Sequence, residues 1–228
     1  MIEAATGLVL RTRPLTETSL IVHWLTPNFG RVATVAKGAR RPNSPFRGKL
    51  DLFYLADFTF SRSRRSELHT LREVSLLETH SFLRRDLEAL QQASYCAALV
   101  EQATETETPL PAVFELMSEL LGVLSRQLVQ PQTVLAFELK LLAELGLNPD
   151  MAKSRLTAGA KEIARVLKEE DWNAIARLRP SPAQVTESRQ FLHGFLAFNL
   201  GKTPAGRAAA LGSHEAVPMQ QETTKRLE

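Results

Sequence analysis

Cysteine is all but missing from this chain, with Cys96 alone among 228 residues. A single thiol excludes an internal disulfide framework and a cysteine-built metal cage, and it suits a reducing cytoplasm. Cys96 lies in the apolar stretch SYCAALV without a basic neighbour, the setting of an inert buried thiol rather than a nucleophile. Long apolar runs are missing as well, since none reaches the ~18 residues of a membrane-spanning helix. The opening MIEAATGLVL has no basic segment ahead of its apolar residues. The expectation is a soluble, unexported, cytoplasmic protein.

Signatures of catalysis are equally scarce. The histidines are His23, His69, His80, His193 and His214. They include no pair one helical turn apart and no HExxH arrangement to hold a metal. His23 and His69 fall in strand-like stretches and read as packed or interfacial. There is no GxSxG elbow and no aspartate pair of a two-metal centre. Gly201-Lys202-Thr203 ends like a phosphate-binding loop, but Leu196 stands where that motif needs its first glycine and Pro204 follows. The acidic run Glu169-Glu170-Asp171 reads as a solvated face between helices. Nothing brings an acid, a base and an electrophile together, so no catalytic residue, metal or cofactor is expected, and the sequence argues against an enzyme.

What the chain does have is charge laid out in blocks. Its net charge is +3, yet residues 1–80 hold 12 Lys/Arg against 7 Asp/Glu, residues 81–150 hold 4 against 10, and residues 151–228 hold 12 against 8. A basic, an acidic and a basic block suit a polyanion on one part and a different partner elsewhere.

The hydrophobic period also changes along the chain. Residues 6–13 alternate, with Leu8 and Leu10 on one face and Arg11 and Arg13 on the other. Residues 18–26 are β-branched and aromatic, and Pro27-Asn28-Phe29-Gly30 supplies a turn, so 20–26 and 31–37 predict an antiparallel hairpin. Residues 51–61 and 68–77 complete five strands, with Leu52, Tyr54, Ala56, Phe58 and Phe60 sharing a face. Five strands without an intervening helix predict a small closed barrel of the OB type over residues 1–80. From Phe82 onward the period is helical. Val113, Leu116, Met117, Leu120, Leu121, Leu124 and Leu128 form one stripe, and Val134, Phe137, Leu141, Leu142 and Leu145 another. Ser181-Pro182-Ala183-Gln184 is a capping box opening a helix that Gly201 closes, with Gly194 marking a close helix crossing. The fold class is therefore α+β: a barrel, an all-α domain over residues 81–212, and a disordered tail over 213–228.

Between strands three and four the chain reads VAKGARRPNSPFRGKL, with Lys37, Arg40, Arg41, Arg47 and Lys49 and no carboxylate before Asp51. The connection 61–66 adds Arg62, Arg64 and Arg65, while Arg13 and Arg31 lie on or beside strands. A phosphodiester backbone needs such long cations along a groove, and the loop between strands four and five borders the usual oligonucleotide groove of an OB barrel. About six neutralised phosphates on a single strand imply a log–log salt slope of about −4. The bland counterpart is a solvated basic loop. The alternative from another class is an adaptor whose barrel grips a partner protein rather than DNA.

These residues also resemble a known family. GLVLRTRPLTETSLIVHWLTPNFGRVATVAKGAR, then a basic loop, GKLDLF and LREVSLLE, closely resembles the N-terminal part of the RecO family of bacterial recombination mediators. The resemblance continues in Phe137-Glu138-Leu139-Lys140-Leu141-Leu142 with Leu145-Gly146, and in Leu200-Gly201-Lys202 followed by Arg207. It implies an OB domain joined to a helical domain, and binding and annealing of single- and double-stranded DNA at the nucleoid. It further implies action with RecR and the single-strand-binding protein SSB to help load RecA, without nucleotide hydrolysis. Two features depart from the family. Relatives often carry two Cys-x-x-Cys pairs for zinc after the segment matching Leu145–Pro149, whereas residues 150–180 contain no cysteine here and residues 160–178 read as helix, with Ile163, Val166 and Leu167 on one face. Relatives also often place an arginine just before the FEL segment, where this chain has Leu135-Ala136. Lys140 and Arg155 stand as substitutes to receive the acidic C-terminal tail of SSB.

Overall fold

The structure is a computed structural model that describes residues 1–127, 129–151 and 153–212. The expected tail over 213–228 and Leu128 of the first helical stripe lie outside the described residues.

Strands β1 (Ile2–Pro14), β2 (Leu20–Thr26), β3 (Gly30–Ala36), β4 (Leu55–Ser61) and β5 (Leu68–Glu78) close into a barrel in the order β1-β2-β3-β5-β4. Every pairing is antiparallel except β3 with β5, which run parallel over Ala33–Val35 and Leu68–Thr70. This is the OB-type topology that the strand count predicts. Trp24 stacks on Phe58 inside the barrel, with ring centroids 4.1 Å apart, and its indole N–H donates to Thr34 Oγ1 at 2.9 Å. Val9, Val22, Val32, Ala36, Phe60 and Leu71 fill the remaining interior.

Two strand expectations need correction. Leu8 and Val9 face Leu25 and Trp24, but Arg11, not Leu10, faces His23, so Leu10 is the extra residue of a bulge. The one-residue shift turns Arg11 and Arg13 onto the same outer face as Leu8, where strict alternation had opposed them. Strand β4 starts at Leu55 rather than Asp51. Residues 51–54 instead make a turn in which Phe53 takes φ 62° and donates its N–H to Val9 O at 2.8 Å, while Val9 donates to Tyr54 O at 2.9 Å. Leu52 is consequently exposed, and Phe53 is buried outside the barrel.

After a 3-10 turn (Ser81–Arg84), the helices are α1 (Leu87–Ala103), α2 (Pro111–Leu124), α3 (Pro131–Glu144), α4 (Ala158–Glu169), α5 (Trp172–Arg177), α6 (Pro182–Leu200) and α7 (Arg207–Ala210). Their starts are written in the sequence. Asp86, Thr157, Asp171 and Ser181 cap α1, α4, α5 and α6, and proline opens α2, α3 and α6. The Ser181–Gln184 capping box forms as expected. Gly194 marks no crossing: a Cβ there would meet nothing within 4 Å. Helix α3 is the central member, buried almost all round from Gln132 to Leu142.

The helical core does not stop at the helices. Leu8, Leu10, Leu25 and Phe53 on the outside of the barrel belong to it. Each such side chain, fully buried, contributes about 1.5–3 kcal/mol, so the barrel and helices are fastened by apolar burial. Deep in that core Glu138 is fully buried, accepting from Arg207 Nε at 2.7 Å, Arg207 Nη2 at 2.8 Å and Tyr95 Oη at 2.6 Å. Burial works against the Arg207 charge, but the hydrogen bonds and charge of Glu138 outweigh it and hold its pKa above the usual value. Burial pushes the Tyr95 hydroxyl and the Cys96 thiol up, and Glu138 adds to both shifts, so neither ionises at neutral pH.

Candidate nucleic-acid interface

The outer face of β1-β2-β3 presents two cross-strand rows, Arg13–Ile21–Val35 and Arg11–His23–Ala33. At one end of this face the β1–β2 loop meets the start of the β3–β4 connection. Arg40 N–H donates to Thr18 O at 2.9 Å, and Gly38 N–H to Ser19 Oγ at 3.3 Å. Between them lies a basin of about 380 Å³ lined by Leu15, Thr16, Thr18, Ser19, Val35, Lys37, Gly38 and Arg41. No carboxylate lines it among the described residues.

The basic connection is not a loose loop. A run of turns carries it, through Arg41 N–H to Gly38 O, Ser44 to Arg41 O, Arg47 to Ser44 O and Lys49 to Phe46 O. Phe46, only 7% exposed, inserts into the barrel interior and pins the run at its middle. Arg40, Arg41 and Arg47 therefore project to solvent from a fixed backbone on either side of that anchor. Arg40 and Arg47 make only hydrogen bonds to the carbonyls of Thr16 and Pro42, at 3.4 and 3.2 Å. Lys49 is half-buried and donates to Val74 O at 3.2 Å, which ties the connection to β5.

The cations expected at the interface divide into two sets. Lys37 and Arg41 line the basin, Arg13 lies in the row that ends at Val35, and Arg40 and Arg47 extend from the same connection. All five are exposed and none is paired with a carboxylate among the described residues, although Glu17 is exposed on the β1–β2 loop. Arg31, Arg62, Arg64 and Arg65 lie toward the other end of β3, about 20 Å away at strand rise. There Arg31 Nε donates to Thr104 Oγ1 at 2.9 Å and Arg31 Nη2 to Thr104 O. Arg62 pairs with Glu107 at 3.0 Å, while Arg64 and Arg65 stay exposed. Sequence reasoning missed Arg11, half-exposed and 3.2 Å from Glu101, and Arg72, which donates to Ser61 Oγ at 2.8 Å. The first shares the Arg13 face by simple alternation, so the sequence pattern could have found it. Arg72 is the unpaired residue of a second bulge, between Thr59↔Glu73 and Phe60↔Leu71, which no alternation pattern reveals.

His23 sits between the two sets, its pKa lowered to about 4 by burial first and then by Arg11, Arg13 and Arg31. Its 3.9 Å approach to Glu101 is therefore not an ion pair at neutral pH.

The helical-domain substitutes behave differently. Lys140 Nζ donates to Lys168 O at 3.1 Å and Glu170 O at 2.8 Å and lies over the Trp172 ring, closing the end of α4. Burial lowers its pKa, and the cavity beside it is lined by Glu115, Glu119, Glu144 and Glu169. Arg155 is exposed in the segment before α4. A zinc site of the Cys-x-x-Cys type does not fit this chain: its one cysteine is buried in α1, and α4 and α5 occupy the stretch after residue 157. No cluster of metal-ligating side chains occurs among the described residues, and no described helix is long and apolar enough to cross a membrane.

A closed five-stranded barrel with exposed cations along its β3–β4 connection, fastened to a helical domain, defines an OB-type barrel protein with a helical second domain. Family models agree on the identity, Recombination protein O N terminal matching residues 1–80 and Recombination protein O C terminal matching residues 84–157. Similar proteins include the DNA repair protein RecO of Rhodopirellula baltica, 31% identical over 169 residues that make up 74% of this chain and 62% of that protein. Those of Exiguobacterium sibiricum and Bacillus subtilis are 32% and 31% identical over 151 residues, 66% of this chain and 60% and 58% of theirs. The matched region thus spans about three fifths of the length of these relatives. The chain belongs to the RecO family.

Proposed function

We propose that this protein is a non-enzymatic DNA-binding and strand-annealing mediator of recombinational DNA repair, working with RecR and SSB to help load RecA on single-stranded DNA. The observation that carries the DNA-binding part is the basin end of the barrel, where Lys37 and Arg41 line the basin, Arg13 lies in the row that ends at Val35, and Arg40 and Arg47 extend from the same connection, pinned by Phe46. The relatives' name, DNA repair protein, supports the process. RecR and SSB enter on family membership, and the acidic surroundings of Lys140 do not favour it as the seat of an acidic tail.

The chemistry is charge neutralisation. The aromatic rings of β2 and β4 point into the barrel, and the rows facing the basin carry Ile21, Val35, His23 and Ala33 instead. Such a face grips phosphates without stacking on bases, so it suits single and double strands and is indifferent to sequence. Annealing is opposed by repulsion between two polyanions, and cations shared between them lower that barrier. Annealing of complementary oligonucleotides, naked and coated with SSB, tests the role. Acceleration in both settings, lost in the Arg40/Arg41/Arg47→Glu variant, is the expected result. Unchanged annealing in that variant would remove the basin from the mechanism.

A further inference from the structure

The end of α1 and the connection 104–108, which reads TETET, lie across the barrel at the Arg31 end of β3. Glu107 N–H donates to Arg31 O at 2.9 Å, and Thr106 bridges Arg31 in parallel, extending the sheet where β5 no longer pairs with β3. Gly30, at φ +63°, lets this strap approach: a Cβ there would stand 1.9 Å from Thr108 O. The strap brings anionic and carbonyl oxygens to the cations that phosphates would seek. Thr104 holds the Arg31 guanidinium, Glu107 holds Arg62 at 3.0 Å and approaches His69 at 2.9 Å, and Glu101 holds Arg11 at 3.2 Å. Glu105 of the same strap is exposed.

We propose that this acidic strap is a built-in competitor of DNA, holding Arg31 and Arg62 until a polyanion displaces it. The inference rests on the reading of the barrel as a DNA-binding module. In the resting protein Arg31 and Arg62 are occupied by the strap while Arg64 and Arg65 beside them stay exposed, and the two held cations become available as strand is taken up. Displacement adds two phosphate contacts, which steepens the single-strand salt slope by about 1.4 and enlarges the affinity loss between 50 and 200 mM salt about sevenfold.

The test compares Glu107→Gln with Glu105→Gln in single-stranded DNA binding over that salt range. Both remove one negative charge, but only the first loosens the strap. The inference expects tighter binding and a steeper slope for Glu107→Gln than for Glu105→Gln. Equal effects from the two variants overturn it. A second variant, Glu67→Cys/Thr106→Cys, places thiols where Thr106 Oγ1 meets Glu67 Oε2 at 3.2 Å, with Cys96 buried out of reach. Joined by a short bis-maleimide, it should bind more weakly and with a shallower slope than the same protein capped singly. Identical binding of the linked and capped forms overturns the strap, whereas no binding by the unaltered protein overturns the DNA reading beneath it.

Discussion

His23 shows how one imidazole records its surroundings. Burial and the charges of Arg11, Arg13 and Arg31 lower its pKa from 6.5 to about 4, so the folded protein keeps it neutral. An unfolded chain takes up that proton near pH 6.5, so the contribution is complete above 6.5 and is lost as pH falls toward 4. Urea midpoints measured across that window should fall less steeply in His23→Gln than in the parent. An equal fall would mean that other groups carry the acid sensitivity. Arg207 makes the opposite case, a buried cation held by Glu138 and by the carbonyl of Arg189 at 3.2 Å. Arg207→Ala leaves the fully buried Glu138 without its charge partner and should cost about 3–5 kcal/mol in urea unfolding. A cost under ~1 kcal/mol would show that Tyr95 alone suffices.

At the scale of elements, the β3–β4 connection is a pinned run of turns whose anchor is Phe46. Phe46→Ala should destabilise the barrel by about 3–5 kcal/mol and weaken DNA binding although no charge changes. Denaturant unfolding and an oligonucleotide titration on the same variant check both parts, and binding that survives intact would mean the cations act without a fixed backbone. The sequence showed the connection's composition but not this order, because a single phenylalanine after Pro45 carries no period. It showed the barrel from strand count and turn chemistry, and the start of α6 from the Ser181–Gln184 capping box. It misplaced Leu8 relative to Arg11 and the start of β4, because a bulge at Leu10 and the φ 62° of Phe53 are paid for by the tertiary contacts of Leu10 and Phe53 with the helices.

At the scale of the molecule, the three charge blocks acquire places. The basic N-terminal block builds the barrel's rim. The acidic middle block divides between the strap, through Glu101 and Glu107, and the α2–α3 face, through Glu115, Glu119 and Glu144. Their separation was legible in the sequence, but the crossing of an acidic strap over basic strands was not, since it joins residues some seventy positions apart. The two domains share one apolar core through Leu8, Leu10, Leu25 and Phe53. The basin and the resting strap therefore sit on a single frame, as the proposal that one polyanion engages the first and displaces the second requires.

The measurement that bears most directly on this account is the salt dependence of single-stranded DNA affinity, for the parent and for the Arg40/Arg41/Arg47→Glu variant. Five open cations on β1 and the β3–β4 connection predict a log–log slope of about −3.5 for the parent before the strap moves, shallower by at least about 2 in the variant. A shallow slope with millimolar affinity in the parent, or the same slope in both proteins, would contradict it.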